Sequence, residues 1–212
     1  MTLVAYASRR GGTAEMAQWI GDQLVRRGHP VSVARAADVH SLEDVDAVVL
    51  GSCVYLSRWD RRALRFAARF EGELRARPLW LFSTGPLDDS AARGEASAPT
   101  KADALALRLR AREHVVLGGR LEADARGLAA RALARSMSGD WRDADVVRAF
   151  ADRIADELDQ LAAVSGRVPW SDMRPVDAAQ GPEPEEQRSL QGDARPGGEA
   201  VAQRAAQALV DG

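Results

Sequence analysis

Three short stretches combine residue types that suit ligand chemistry. The first is "SRRGGT", Ser8 to Thr13, lying between an apolar run that ends at Ala7 and a helical pattern that opens at Thr13. Small and hydroxylic residues let the backbone fold its N–H groups around an anion. The first turn of the helix adds unsatisfied donors and the positive end of its dipole. Gly11 and Gly12 allow close approach, Ser8 and Thr13 offer hydroxyls, and Arg10 is placed to offset negative charge, while Arg9 is read as pointing to solvent. The same six residues also fit an ordinary turn in which Thr13 caps the helix, and the spacing alone does not choose between the two. With no Lys-Ser or Lys-Thr after the second glycine, the loop is not that of a nucleotide-hydrolysing protein, nor is it GxGxxG.

The second stretch is "GSCVYLSRW", Gly51 to Trp59, in which Tyr55 could stack on a flat ring and Cys53 would sit at the edge of such a ring. The third is "FSTGPLDDS", Phe82 to Ser90, whose Thr84-Gly85-Pro86 run fixes a turn. Taken singly, each reads as plain loop chemistry. Cys53 reads as a small residue near a strand end.

These loops need a frame, and the hydropathy pattern supplies one. Apolar runs at Leu3–Ala7, "PVSVARA", Asp46–Ser52, "PLWLFST" and "HVVLGG" predict five strands. Between them fall helical patterns: Thr13–Arg27, closed by Gly28; a stripe of Trp59, Ala63, Phe66 and Phe70; Thr100–Arg110; Ala125–Met137; and Asp143–Leu161. Strands alternating with helices imply an α/β protein with a doubly wound, mostly parallel sheet covered on both faces. In such a sheet, ligands bind beyond the carboxyl ends of the strands, where all three stretches fall. Residues 1–165 read as one domain. From 166 to 212 the chain turns to "GRVPWSDMRPVDAAQGPEPEEQRSLQGDARPGGEA" and then "VAQRAAQALVDG", predicting a flexible tail with a short terminal helix.

The bulk numbers narrow the function. The tail carries a net charge of −3 out of −2 for the whole chain, which leaves the folded part near +1 and argues against a dedicated nucleic-acid binder. One cysteine excludes an internal disulfide and fits a reducing, cytoplasmic setting. His29, His40 and His114 lack metal-ligand spacing, and the sequence shows no Ser-His-Asp or Cys-His arrangement. No apolar run approaches the roughly 20 residues that span a bilayer.

Taken together the loops resemble those of the flavodoxin-domain family over residues 1–162. "YASRRGGTAEMAQWI" is similar to its phosphate loop, and "VVLGSCVYLSRW" and "WLFSTGPLDD" to its two ring-binding loops. The stretches "VVLGSCVY", "FSTGPLDD", "EHVVLGGRL" and "DWRDADVVRAFADRIADEL" resemble more narrowly the branch containing menaquinone-dependent protoporphyrinogen oxidase. The resemblance implies a five-stranded sheet of order 2-1-3-4-5 and non-covalent FMN. Its phosphate would lie at Ser8, Arg10, Gly11, Gly12 and Thr13. Its ring would lie between Ser52, Cys53, Val54 and Tyr55 on one side and Thr84, Gly85, Pro86 and Leu87 on the other. Where flavodoxins often place a second aromatic, this chain has Pro86, Leu87 and Asp88, which leaves that side more open.

Three functions fit this reading: an FMN-dependent oxidoreductase passing electrons to a quinone or another acceptor, a flavodoxin-type carrier, and a binding module that has lost FMN. Carriers of this family are usually strongly acidic, unlike a folded part near +1. Arg58, Arg62, Arg65 and Arg69 recur at four, three and four residues, predicting a cationic helix face for an anionic partner or a peripheral membrane contact. The same stripe also fits a plain solvated face in an arginine-rich chain.

Overall fold

The computed structural model describes residues 1–85, 87–121, 138–164 and 166. The predicted helix at Ala125–Met137, the loop residue Pro86 and the predicted tail from residue 167 onward lie outside the described residues.

Five parallel strands form the sheet: β1 (Thr2–Ala7), β2 (Val31–Arg35), β3 (Ala47–Tyr55), β5 (Leu79–Thr84) and β6 (Glu113–Leu117). Their spatial order is β2-β1-β3-β5-β6, the predicted arrangement. Alternation along the strands sorts side chains into two cores. Leu3, Ala5, Val48, Leu50, Leu79 and Leu81 face α2 (Arg61–Arg69), α3 (Glu71–Arg75) and α4 (Thr100–Leu109). Val4, Val49, Trp80 and Phe82 face α1 (Gly12–Arg26) and α5 (Ala144–Val164). The central strands are apolar on both sides because both sides are covered.

Helix α1 shows why the sequence pattern is readable. Thr13, Met16, Ala17, Ile20, Gly21 and Leu24 fall on one buried face. The helix ends where Gly28, at φ +87°, lets its own N–H reach Val25 O and the His29 N–H reach Leu24 O, capping the last carbonyls. On the far side α5 packs against α1, and Asp152 accepts from Gln23 and Arg27 at 2.7 and 3.0 Å.

Two elements differ from the sequence expectation. Strand β3 runs on past Ser52 to Tyr55, because Val54 and Tyr55 pair antiparallel with Trp59 and Arg58 of the short strand β4 (Arg58–Trp59). The hairpin turns on Leu56 and Ser57, both at positive φ (49° and 56°), the backbone signature of a tight two-residue turn. Trp59 and Arg58 are therefore strand residues. The helix starts only after Asp60, whose side chain caps it by accepting the Arg62 N–H at 2.9 Å. The second difference follows β6. Arg120–Leu121 (β7) and Gly139–Asp140 (β8) form a separate antiparallel pair, and the Trp141 N–H closes back onto Gly119 O.

Gly51 sits directly opposite Phe82 in the β3–β5 register. A β-carbon there would lie 1.9 Å from the Phe82 ring. The ring thus fills the space that any side chain at 51 would need, and a buried aromatic spans two strands in the sheet centre.

Candidate functional site

The carboxyl ends of β1, β3 and β5, with the segment after β6, enclose a cleft of about 360 Å³. Ser8, Arg10, Gly12, Thr13, Cys53, Val54, Tyr55, Thr84, Gly85 and Leu87, all singled out from sequence, line it. Gly11 lies in the same loop just outside the lining, and Pro86 is not among the described residues.

Gly11 occupies the cap position of α1 at φ +87°, a conformation that strains any residue with a β-carbon. Its N–H donates to Ser8 Oγ at 3.0 Å, which curls the loop. Among the described residues no side chain caps α1. The Gly12, Thr13 and Ala14 amides therefore keep the unsatisfied donors of a helix start. The alternative in which Thr13 caps the helix does not hold, since Gly11 takes the cap position. Thr13 is buried in the first turn, and its hydroxyl meets that of Thr84 at 2.7 Å, tying the first loop to the third.

Ser52 does not reach the cleft. It is fully buried, and its Oγ accepts the Asp60 N–H at 2.9 Å, closing the base of the hairpin. The residue belonged to the predicted ring loop, but β3 is still regular here and turns its hydroxyl inward. Arg9 is exposed, as expected, but it is also anchored. Its Nε donates to Asp60 Oδ2 at 3.0 Å, and its guanidinium carbon lies 5.1 Å from the Tyr55 ring centroid. Arg62 donates to both Asp60 oxygens and to Ser8 O. One buried carboxylate thus holds the first loop, the hairpin and the start of α2 together. The hydrogen bond from the Arg62 side chain, against the cost of burial, holds the Asp60 carboxyl far below the usual carboxylate range.

Of the predicted arginine stripe, Arg62, Arg65 and Arg69 lie on α2 and Arg58 does not. Arg62 serves the Asp60 cluster, Arg69 donates to His40 O at 2.9 Å and lies on the Phe70 ring, and Arg58 belongs to the hairpin. Arg58, Arg61, Arg65 and Lys101 have no ion pair among the described residues. Arg58, Arg61 and Lys101 ring a second hollow of about 700 Å³, which shares Arg9, Tyr55 and Leu56 with the cleft. Its apolar lining includes Leu64 and the hairpin tip Leu56, which is 79% exposed.

The structure also contains an arrangement that the sequence did not reveal. Ser83 Oγ lies 2.9 Å from His114 Nε2, and His114 Nδ1 lies 3.0 Å from Asp103 Oδ1. Ser83 is completely buried and accepts the Trp59 indole N–H at 2.7 Å, so it is no nucleophile. A consistent proton assignment runs Trp59 N–H to Ser83 O–H to neutral His114, with the His114 Nδ1–H on Asp103. The line anchors the foot of the hairpin to β5 and β6. Cys53 is half-buried, and burial pushes its thiol up, which disfavours a thiolate.

Sequence reasoning missed Leu56, Ser57, Gly119, Arg120 and Leu121 in the cleft wall. "GGRL" carried a turn signal but nothing that fixed where the chain would go after β6. Among the described residues no cluster of His, Cys, Asp or Glu is able to hold a metal, and no helix is long and apolar enough to cross a membrane.

A parallel doubly wound sheet of order 2-1-3-4-5, with a donor-rich loop after its first strand and an aromatic at the end of its third, defines an α/β protein of the smaller doubly wound class with a cleft at the carboxyl ends of its strands. The family model for the flavodoxin domain matches residues 3–143, and the chain belongs to that family. Solved structures similar to it include a flavodoxin from the domain Archaea, at 15% identity over 74% of this chain and 96% of that one, with a TM-score of 0.47. A flavodoxin from Streptococcus pneumoniae TIGR4 is 16% identical over 74% and 98%, with a TM-score of 0.49. Flavodoxin 2 from Bacillus cereus is 17% identical over the same shares, with a TM-score of 0.48. No curated protein matches the chain.

Proposed function

We propose that this chain is an FMN-dependent oxidoreductase that holds its flavin non-covalently in the cleft. The observation that carries the reading is the cleft's mixed lining. Helix-start amides and hydroxyls of the Ser8–Thr13 loop line it together with Tyr55, Val54 and Leu87. A flavin mononucleotide has parts to match, a dianionic phosphate and a flat apolar ring. The donor set fits the phosphate: Gly11 shapes the loop, no side chain occupies the α1 amides, and Arg10 and Arg120 supply positive charge in the wall.

When bound, FMN supplies the redox chemistry. The chain's own work is to bind and orient it. The loop amides and Ser8 hold the phosphate, the Thr13–Thr84 contact sets the spacing between loops, and the Tyr55 hairpin excludes water from one side of the ring. No side-chain acid or base in the cleft is needed for that work. Within this reading, the branch resembling menaquinone-dependent protoporphyrinogen oxidase is preferred over a carrier. Arg58, Arg61 and Lys101 beside the hairpin, without an ion pair among the described residues, suit a carboxylate-bearing substrate next to the ring. Family membership alone favours the carrier.

The test starts with the purified protein's absorption spectrum and an FMN titration. Flavin bands with release of FMN on heating support the reading, and a protein that binds no FMN overturns it. Oxidation of protoporphyrinogen, or reduction by a quinol, then separates oxidoreductase from carrier. Replacing Arg58, Arg61 and Lys101 together with Gln should weaken turnover in a salt-dependent manner.

A further inference from the structure

Arg120, which lies far from the phosphate loop in sequence, is draped over it in space. Its Nη2 lies 3.6 Å from where a β-carbon on Gly11 would sit, and its own Cβ lies 3.7 Å from the corresponding point on Gly12. It reaches across to Glu15 in the first turn of α1, with Nη2 to Oε1 at 2.7 Å and Nη1 to Oε2 at 3.1 Å. Glu15 is also held by Arg142, whose Nη1 donates to Oε2 at 2.6 Å. The two arginines keep the Glu15 carboxyl below its usual range.

The two arginines are not equivalent. Arg142 is buried, grips Asp140 through Nε and Nη2, and lies over the Trp19 ring, so its position is fixed from three sides. Arg120 is more accessible and lines the cleft beside Arg10, Gly12 and Thr13. A carboxylate in the first turn of α1 opposes a second anion at the same helix start unless cations offset it. Arg120 lines the cleft as well as meeting Glu15, whereas Arg142 does not reach the cleft, so Arg120 is the one placed between Glu15 and an incoming anion.

We propose that Arg120 is a phosphate ligand of the flavin site and that Glu15 competes with the phosphate for it. The affinity of the loop for a phosphate ester is then set by this pair as well as by the loop amides. A guanidinium suits the role because its planar fork can serve two oxyanions at once. The inference rests on the FMN reading for the identity of the ligand, but the pair's effect on a phosphate does not depend on the ring.

The experiment compares FMN with riboflavin, which lacks the phosphate, by fluorescence titration on wild type, Arg120→Gln, Glu15→Gln and the double variant. Arg120→Gln should weaken FMN roughly tenfold and leave riboflavin unchanged, as loss of one charge-assisted contact would. Glu15→Gln should tighten FMN several-fold, again without effect on riboflavin, and the gain should vanish in the double variant. Equal changes for both flavins, or weakening of FMN by Glu15→Gln, would mean that Arg120 only braces the fold and would overturn the proposal. Inorganic phosphate provides the arm that is independent of flavin. Amide shifts of Gly11, Gly12 and Thr13 on phosphate titration should appear in wild type and fade in Arg120→Gln. If those shifts appear while neither flavin binds, the FMN reading fails and the Arg120 assignment stands. If phosphate moves those amides equally in both proteins, or in neither, the assignment falls.

Discussion

The hydroxyls of Thr13 and Thr84, 71 residues apart in the chain, meet at 2.7 Å in a buried contact between the first and third loops of the cleft. The contact fixes the separation of two strand ends that are not neighbours, since β3 lies between β1 and β5. Replacing Thr84 with Val keeps the shape and orphans the Thr13 hydroxyl. The variant should lose about 1–2 kcal/mol of unfolding free energy, measured by urea denaturation. FMN affinity should fall with it, because the loop spacing is no longer pinned.

Asp60 joins more of the site than any other side chain, with Arg9, Arg62 and the α2 cap all on one carboxylate. Asp60→Asn should cost about 2–4 kcal/mol, the scale for removing the charge from a buried, multiply bonded ion cluster. Its folded-state acidity is lowered, so its stabilisation is fully present above the unfolded carboxyl value and is lost as pH falls through the folded one. Urea midpoints of wild type and variant should stay a constant distance apart from pH 7 to about 5 and converge below about 4.

Two buried histidines act in the same direction but in a window nearer neutrality. Burial lowers both His29 and His114 from the usual value of 6.5, against the pull of Asp159 and Asp103 respectively. A histidine lowered on folding is charged more readily when unfolded. Stability is therefore complete above about pH 6.5 and declines as pH drops below it. Neither ring nitrogen of His29 has a hydrogen bond among the described residues. His29→Leu should therefore flatten the slope of unfolding free energy between pH 7 and 5 without loss at pH 7. A slope identical to wild type would refute the assignment.

The hairpin tip carries its own strain. Leu56 and Ser57 adopt positive φ without being glycine or asparagine. Leu56→Asn with Ser57→Gly, the pair that such turns favour, should raise the melting temperature by a few degrees, corresponding to about 1 kcal/mol. If the exposed Leu56 serves the adjoining hollow, the stabilised variant will also turn over more slowly.

The fold was legible because its signals are local. The i, i+3, i+4 spacing of Met16, Ile20 and Leu24 and the unbroken apolar run through β3 each need only nearby residues to be read. The hairpin was not legible. Leu56-Ser57 lacks the usual turn residues, so Trp59 was grouped with the helix whose spacing it happened to match. The short loop motifs bring most of the residues they single out to one cleft, because each loop follows a strand at the same edge of the sheet. Side-chain commitments across the chain were not legible. Ser52 turning inward, Arg9 reaching Asp60, and Ser83 aligning with His114 and Asp103 all depend on sheet order and register, which bring together residues 8 to 51 positions apart. Arg120 was the most hidden, since it reaches Glu15 over 105 residues of sequence.

The packing of Phe82 onto Gly51 makes a forecast about descent. A ring and an absent side chain share one volume, so neither position can drift alone. A lineage that gains even a methyl at 51 must trade the ring at 82 for something smaller, and one that loses the ring is released to fill 51. Across this chain's relatives the two positions should therefore change as a pair, and an ancestor caught between the two states would carry either a hole or a clash at the centre of its sheet.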